Sequence, residues 1–119
     1  MRLFLLAAFV ALVALAACGD PPIADPCIDT PTYTNQIKPM ILDLKCLQCH
    51  SMSLEMQARQ GAPEGIDFDT YEIAQPHFDI MASAITSGRE PPPTLMPKIE
   101  VSPAERELVS DWRTCMYPK

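Results

Sequence analysis

The sequence predicts a small all-α domain with long loops and no significant sheet. Three segments carry apolar residues at helical spacing, and the loops between them are rich in glycine and proline. No segment has the pattern of a convincing strand. At 119 residues the chain has room for one domain. Because a core of this size buries only about two-thirds of the unfolded surface, we expect a cofactor or a cross-link to support it.

Residues 1–17 are predicted to be a signal peptide rather than part of the domain. Arg2 precedes an unbroken apolar run over residues 3–14, which is short for a permanent membrane helix. The following Leu15-Ala16-Ala17-Cys18 resembles the lipobox of bacterial lipoproteins. That resemblance implies that Cys18 becomes the lipidated first residue. The alternatives are an ordinary signal peptide with Cys18 near the cut by chance, and a short uncleaved membrane helix.

The charge balance of the chain is acidic. The net charge is −6 at neutral pH, and the predicted signal peptide contains only one charged residue, Arg2. An acidic chain is repelled by nucleic acid phosphates and by anionic lipid headgroups. We therefore expect no nucleic acid partner, and a lipid anchor in the bacterial cell envelope, facing the periplasm or the outer surface. A redox partner with a basic docking patch would be attracted electrostatically.

Residues 18–32 are predicted to be a stiff tether between the lipid and the domain. Four prolines stand there among Gly, Asp and Thr, without apolar periodicity. Residues 33–119 then form the folded domain.

The first predicted helix runs from Asn35 to Leu47. It places Ile37, Ile41 and Leu44 on one face, and Pro39 falls in its first turns, where a missing N–H costs least. The helix leads directly into a cysteine motif.

The second and third predicted helices cover residues 70–87 and Pro103 to about Cys115. The second ends at Gly88, and Pro76 either kinks it or marks its true start. The third begins with the capping box Ser102-Pro103-Ala104-Glu105. The apolar faces of these two helices consist of Ile73, Met81, Ala84 and Ile85, and of Leu108, Val109, Trp112 and Cys115.

The motif Cys46-Leu47-Gln48-Cys49-His50 has the spacing needed to attach one haem covalently. Two thiols near a helix end can reach both vinyl groups, and the next residue offers its imidazole to the iron. A redox-active cysteine pair would leave His50 without a role and expects a βαβ context. A zinc site would need the adjacent Cys49 and His50 to share one tetrahedral centre, which is uncommon. Structural cysteines are the third alternative.

The order of elements over residues 33–117 resembles the class I cytochrome c fold. A helix enters the CxxCH motif, and a loop, a middle helix, a loop with Met96 and a C-terminal helix follow. More narrowly, the run from Arg59 to Tyr71, a Met-Pro step and the Trp112-x-x-Cys115 ending are similar to small cytochrome-like lipoproteins of myxobacteria. The resemblance implies N- and C-terminal helices packed around one covalent haem c.

The resemblance also implies a second iron ligand, Met96, in the loop before the last helix. The run Pro91-Pro92-Pro93-Thr94-Leu95-Met96-Pro97 would hold this loop extended over the haem face. The family more often has two prolines after the methionine or a shorter stretch before it. The alternatives are ligation by His77 or Met81, and an open sixth position with Met96 in ordinary packing.

In the cytochrome c family a proline carbonyl accepts a hydrogen bond from the axial histidine, and Pro63 is the residue implied here. The alternative is that Pro63 only shapes a turn. A set of apolar residues is expected to form the haem pocket and the helix packing, although ordinary core packing is the simpler description of each one: Tyr33, Ile37, Ile41, Phe68, Tyr71, Phe78, Leu108 and Trp112.

Cys27 and Cys115 are the two cysteines that neither lipid nor haem would use. Spare cysteines tend to pair in an oxidising compartment, so we expect a disulfide between them, with two free thiols as the alternative.

The function expected from these features is that of a one-electron carrier, not an enzyme, with no small-molecule substrate. A haem enzyme of peroxidase type or a ligand sensor with an open sixth position is the main alternative, for which His77, Arg89 and Glu90 are the available polar groups. A binding subunit that keeps haem as a structural support is a third possibility.

Overall fold

The regular elements of the chain are all helical over the residues that its computed structural model describes, which are 25–94 and 97–119. The predicted signal peptide, Cys18 and Met96 lie outside these ranges. Within them, no helix has the length and apolar character of a membrane span.

Helix α1 spans Tyr33–Cys46 and begins at a Thr32 cap, whose hydroxyl accepts a hydrogen bond from the Asn35 N–H at 3.2 Å. Its winding is wider than that of an α-helix. The N–H of Ile37 donates to the carbonyl of Thr32, and the N–H of Leu47 donates to that of Leu42, so bonds span five residues at both ends. Pro39 lies inside the helix.

The buried face of α1 differs from the predicted one at its C-terminal end. Ile37 and Ile41 are fully buried as expected, but Leu44 is 62% exposed and Leu42 takes its place in the core. The wider winding explains this difference, because more residues per turn carry the buried face from Ile41 and Leu42 to Cys46. The same shift buries the first cysteine of the motif.

The second predicted helix is divided at Pro76. Helix α2 covers Tyr71–Ala74, a 3-10 turn covers Gln75–His77, and helix α3 covers Phe78–Thr86. The division follows from the proline, which has no N–H to continue an α-helical ladder. In α3, Met81, Ala84 and Ile85 are buried as predicted, and Gly88 follows at a φ of 76° as a C-terminal stop.

Helix α4 spans Pro103–Thr114, and its predicted capping box is confirmed. The Ser102 hydroxyl accepts from the Glu105 N–H at 3.3 Å, and the Glu105 carboxylate accepts from the Ser102 N–H at 2.7 Å. Val109 and Trp112 are fully buried, and α4 packs against both α3 and α1.

An aromatic cluster joins these helices. Phe78 of α3 and Trp112 of α4 meet edge to face, with ring centroids 4.6 Å apart, and Tyr33 of α1 lies within 6.2 Å of both rings. Edge-to-face contacts of this kind stabilise a core beyond the area they bury. The other two members of the cluster are Tyr71 and Tyr117.

The two ends of the described chain are tied together. The predicted disulfide between Cys27 and Cys115 is present, with Cα atoms 5.6 Å apart. The carbonyl oxygen of Pro118 accepts hydrogen bonds from the Tyr33 N–H and from the Trp112 indole, both at 2.9 Å. Residues 25–32 of the predicted tether are therefore joined to the end of α4.

Candidate haem-binding site

A cavity of about 320 Å³ lies between the C-terminal end of α1 and the helix α3. Its volume falls within the range typical of ligand sites in proteins. Most of its wall surface is apolar. The lining residues include Lys45, Cys46, Cys49, His50, Pro63, Ile66, Phe68, His77, Ile80, Met81, Ala84, Ile85, Arg89 and Glu90.

The cysteine motif forms a tight turn at the edge of this cavity. The N–H groups of Cys49 and His50 both donate to the carbonyl oxygen of Cys46, at 3.0 and 2.8 Å. Cys46 is buried, Cys49 and His50 are half-buried, and both cysteines are free of disulfide bonds. The end of α1 and the turn together bring two thiols and an imidazole to one cavity.

Both thiols of the motif are held in the neutral form. Burial raises the pKa of Cys46 to about 12, and the nearby Glu90 carboxylate adds to this effect. Burial, followed by Glu90, also raises the pKa of Cys49. A low dielectric and a negative neighbour both disfavour a thiolate. The two cysteines are therefore protonated at neutral pH.

His50 is fixed by three contacts on the side of residues 66–68. Its Nδ1 lies 2.8 Å from the carbonyl oxygen of Ile66. Because a carbonyl oxygen only accepts, Nδ1 carries the proton and Nε2 remains available as a metal ligand. The ring stacks on Phe68 with centroids 4.9 Å apart, and the carbonyl of His50 accepts from the Phe68 N–H at 3.0 Å.

The expected role of Pro63 as acceptor for His50 is wrong in this structure, since Ile66 provides the carbonyl. The Pro63 carbonyl instead accepts from the Arg59 guanidinium at 2.7 Å. The difference arises because the Phe68-to-His50 backbone bond brings residues 66–68, rather than residue 63, beside the imidazole. Pro63 still lines the cavity, and it also lines a neighbouring one of about 130 Å³.

The groups considered as alternative distal residues also lie at this cavity. His77, Met81, Arg89 and Glu90 all line it. Residues Arg89 and Glu90 thus lie at the same cavity as the cysteine motif. Met96 lies outside the described residues, so its place relative to His50 stays a prediction.

The apolar residues expected around a haem divide into two groups. Phe68 lines the cavity, whereas the other seven belong to the core away from its lining. Of these, Tyr71 and Leu108 are partly buried, and the buried ones are Tyr33, Ile37, Ile41, Phe78 and Trp112. Ile66, Ile80 and Ala84 are lining residues for which no haem role was predicted. The helical spacing of apolar residues in α3 indicated Ala84. Ile66 lies in a loop, where no such spacing points to it.

Two buried charged residues behind His50 also escaped sequence reasoning. Arg59 is 3% exposed and Asp67 is 8% exposed, and they form an ion pair at 2.7 Å. Both belong to the run from Arg59 to Tyr71, but their eight-residue separation crosses a loop with no periodicity. Only the folded loop brings them together.

In comparison with known proteins, no family model, curated protein or solved structure matches the chain. Over residues 25–94 and 97–119, no three His, Cys, Asp or Glu side chains form a group that could hold a metal ion by themselves.

Proposed function

We propose that this chain is a lipid-anchored monohaem c-type cytochrome that carries single electrons in the bacterial cell envelope. The observation that supports this most is the arrangement at one apolar cavity. Cys46, Cys49 and His50 line it together, and the Ile66 carbonyl holds the imidazole so that Nε2 is left for iron. The sequence spacing of the motif supports the same proposal.

The donor set fits a covalent haem. Cys46 and Cys49 would hold the porphyrin through thioethers, and His50 would bind the iron. The bound haem supplies a one-electron couple between ferric and ferrous iron. The chain's own apolar walls, which include Phe68, Met81 and Ile85, disfavour the more highly charged ferric state and raise the reduction potential.

Met96 is proposed as the second axial ligand, which would close the iron to small molecules and leave only electron transfer. The partner is then another redox protein, and a basic docking patch on it would suit the acidic chain. A lipid on Cys18 would keep this chain at a membrane surface.

A second function is favoured by the polar groups at the same cavity. His77, Arg89 and Glu90 line it and could serve as distal groups of a peroxidase-like enzyme or a ligand sensor. That function requires an open sixth position. The two functions therefore make opposite predictions about the sixth ligand.

The decisive test is a pyridine haemochrome spectrum of the protein produced with a cytochrome c maturation system. We expect covalent c-type haem in the native chain and none after Cys46→Ser and Cys49→Ser are combined. The pair Cys27→Ser and Cys115→Ser is the matched control, since those cysteines do not line the cavity. This variant should be less stable than the native chain but should retain haem, because Cys46, Cys49 and His50 are unchanged. A native chain without covalent haem would end the proposal.

The sixth ligand separates the two functions. A carrier should show the far-red band of methionine bound to ferric iron, and its reduced form should not bind carbon monoxide. Absence of the band together with ready carbon monoxide binding would favour the enzyme or sensor.

A further inference from the structure

Arg59 is the most heavily hydrogen-bonded side chain behind the candidate site. It lies in a 3-10 helix, Met56–Arg59, and its guanidinium is buried. It donates at 2.9 Å to the carbonyl of Ser51, the residue after His50, and at 2.7 Å to the Asp67 carboxylate. Its remaining acceptors are the carbonyls of Ala62, Pro63 and Ile66.

Both side chains of the ion pair between Arg59 and Asp67 are buried. The side chains are 4% and 11% exposed, with the Nη2 and Oδ1 atoms 2.7 Å apart. Burying two charges removes their hydration, and an apolar pair of similar volume is often as stable. Fold stability alone is therefore a weak reason for a charge pair here, next to the histidine.

One carbonyl connects this ion pair to His50. The Ile66 oxygen accepts from His50 Nδ1 at 2.8 Å and from Arg59 Nη2 at 3.4 Å. Because both donors contact the same oxygen, the guanidinium charge lies within about 6 Å of the imidazole, a distance at which an incompletely screened charge matters. The shortest bonds of Arg59 Nη2 go to the Pro63 carbonyl and to Asp67. Its effect on the Ile66 oxygen therefore comes mainly from its nearby positive charge.

We infer that Arg59 and Asp67 are positioning residues that set how strongly His50 donates electrons to a bound iron. This inference rests on the proposed haem function. A stronger acceptor at Nδ1 makes the imidazole a more basic ligand. Arg59 weakens the Ile66 acceptor and adds a positive charge, and both effects favour the ferrous state. Asp67 opposes that charge and holds the guanidinium in place.

Removing the positive charge of Arg59 and removing the negative charge of Asp67 should therefore move the reduction potential in opposite directions. Arg59→Met keeps the length of the side chain but leaves the Asp67 charge uncompensated, which favours ferric iron. Asp67→Asn keeps an acceptor for Arg59 but leaves its positive charge uncompensated, which favours ferrous iron. Loosening of the loop alone would not produce shifts of opposite sign.

The experiment is a spectroelectrochemical titration of the haem-loaded native chain, Arg59→Met, Asp67→Asn and Arg59→Lys. At a fixed potential we expect the ratio of reduced to oxidised protein to change about three- to tenfold, downward for Arg59→Met and upward for Asp67→Asn. A tenfold change corresponds to 59 mV for one electron. Arg59→Lys keeps the charge and should stay close to the native ratio.

The outcomes separate this inference from the proposed function. If the native chain carries no covalent haem, the proposed function fails. If haem is attached and the variants shift in the same direction or not at all, only the role of Arg59 and Asp67 is overturned. If Arg59→Met does not fold, the other two variants still test the inference. Asp67→Asn must raise the ratio of reduced to oxidised protein, and Arg59→Lys must leave that ratio unchanged.

Discussion

The rings of His50 and Phe68 stack with centroids 4.9 Å apart and an interplanar angle of 29°. The same two residues share a backbone hydrogen bond, in which the Phe68 N–H donates to the His50 carbonyl at 3.0 Å. The imidazole is therefore held on one face by an aromatic ring and at Nδ1 by the Ile66 carbonyl. A ligand fixed in this way loses little freedom when it binds iron.

Phe68→Leu should disturb the candidate haem site more than the fold. Phe78→Leu is the matched control, because Phe78 is equally buried but belongs to the aromatic cluster outside the cavity lining. Each substitution should lower the free energy of unfolding by about 1 to 2 kcal/mol. Only Phe68→Leu should change the haem absorption spectrum. Equal spectral changes in both variants would mean that the stacking has no special role.

Met96→Ala should remove the far-red band of the ferric protein and allow carbon monoxide to bind the ferrous form, because a thioether ligand would be lost. The exposed Met52 provides the control, and Met52→Ala should leave both properties unchanged. If Met96→Ala keeps the band, another methionine is the ligand, and Met81, which lines the cavity, becomes the residue to substitute next.

Breaking the disulfide should lower stability substantially. Cys27 and Cys115 are 88 residues apart in sequence, and a cross-link that closes so long a loop lowers the entropy of the unfolded chain, which stabilises the fold by roughly 4 to 5 kcal/mol. Urea unfolding of the native chain should shift by about this amount when a reductant is added. The double variant Cys27→Ser, Cys115→Ser should be equally unstable and insensitive to reductant, and a response of that variant would contradict the assignment.

Ser102→Ala should destabilise the domain by about 1 kcal/mol, because the Glu105 N–H at the start of α4 loses its acceptor. Ser110→Ala changes an exposed serine within the same helix and should have little effect. Thermal unfolding of the two variants measures the difference. A similar loss in both would show that the cap contributes nothing specific.

The tyrosines should make the fold sensitive to high pH. Burial raises the pKa of Tyr33 to about 12 from an ordinary value of 10.0, and nearby carboxylates such as Asp43 add to the effect. The native state thus favours the protonated phenol. This contribution to stability is complete below pH 10 and is lost as the pH rises through 12. The free energy of unfolding should therefore fall over that interval.

Tyr33→Phe provides the test. The variant loses the hydrogen bond to the Phe68 carbonyl, at a cost of about 1 kcal/mol below pH 10, but its stability should fall less at higher pH. Tyr117 also has a pKa raised to about 12, by burial and then by Asp79. The variant Tyr117→Phe therefore allows the same comparison with the native chain. Urea unfolding across this pH range would contradict the interpretation if the stability advantage of the native chain over Tyr33→Phe did not shrink as the pH rises from 10 to 12.

Several parts of the fold could be predicted because their causes are local. The capping box of Ser102 and Glu105 acts within one turn, and Gly88 stops α3 through its own backbone conformation. The periodicity of α3 located Met81 and Ile85 in the core. The pairing of Cys27 with Cys115 followed from the count of cysteines, and the structure confirms it.

The predictions were wrong where the backbone departs from regular α-helical geometry, or where a loop folds back onto the candidate site. Leu44 was expected in the core, but the wide winding of α1 turns it to solvent. Pro63 was expected beside His50, but the turn after Arg59 places Ile66 there instead. Neither departure leaves a periodic signal in the sequence.

The sequence by itself determined the helical class and the residue types of the candidate site, because helix periodicity and the CxxCH spacing depend on neighbours within a few positions. Only the tertiary structure decided which carbonyl holds His50, and it alone brought Arg59 and Asp67 together behind that carbonyl. Such contacts depend on the path of a loop between helices, and that path is set by the packing of the whole domain rather than by local preference.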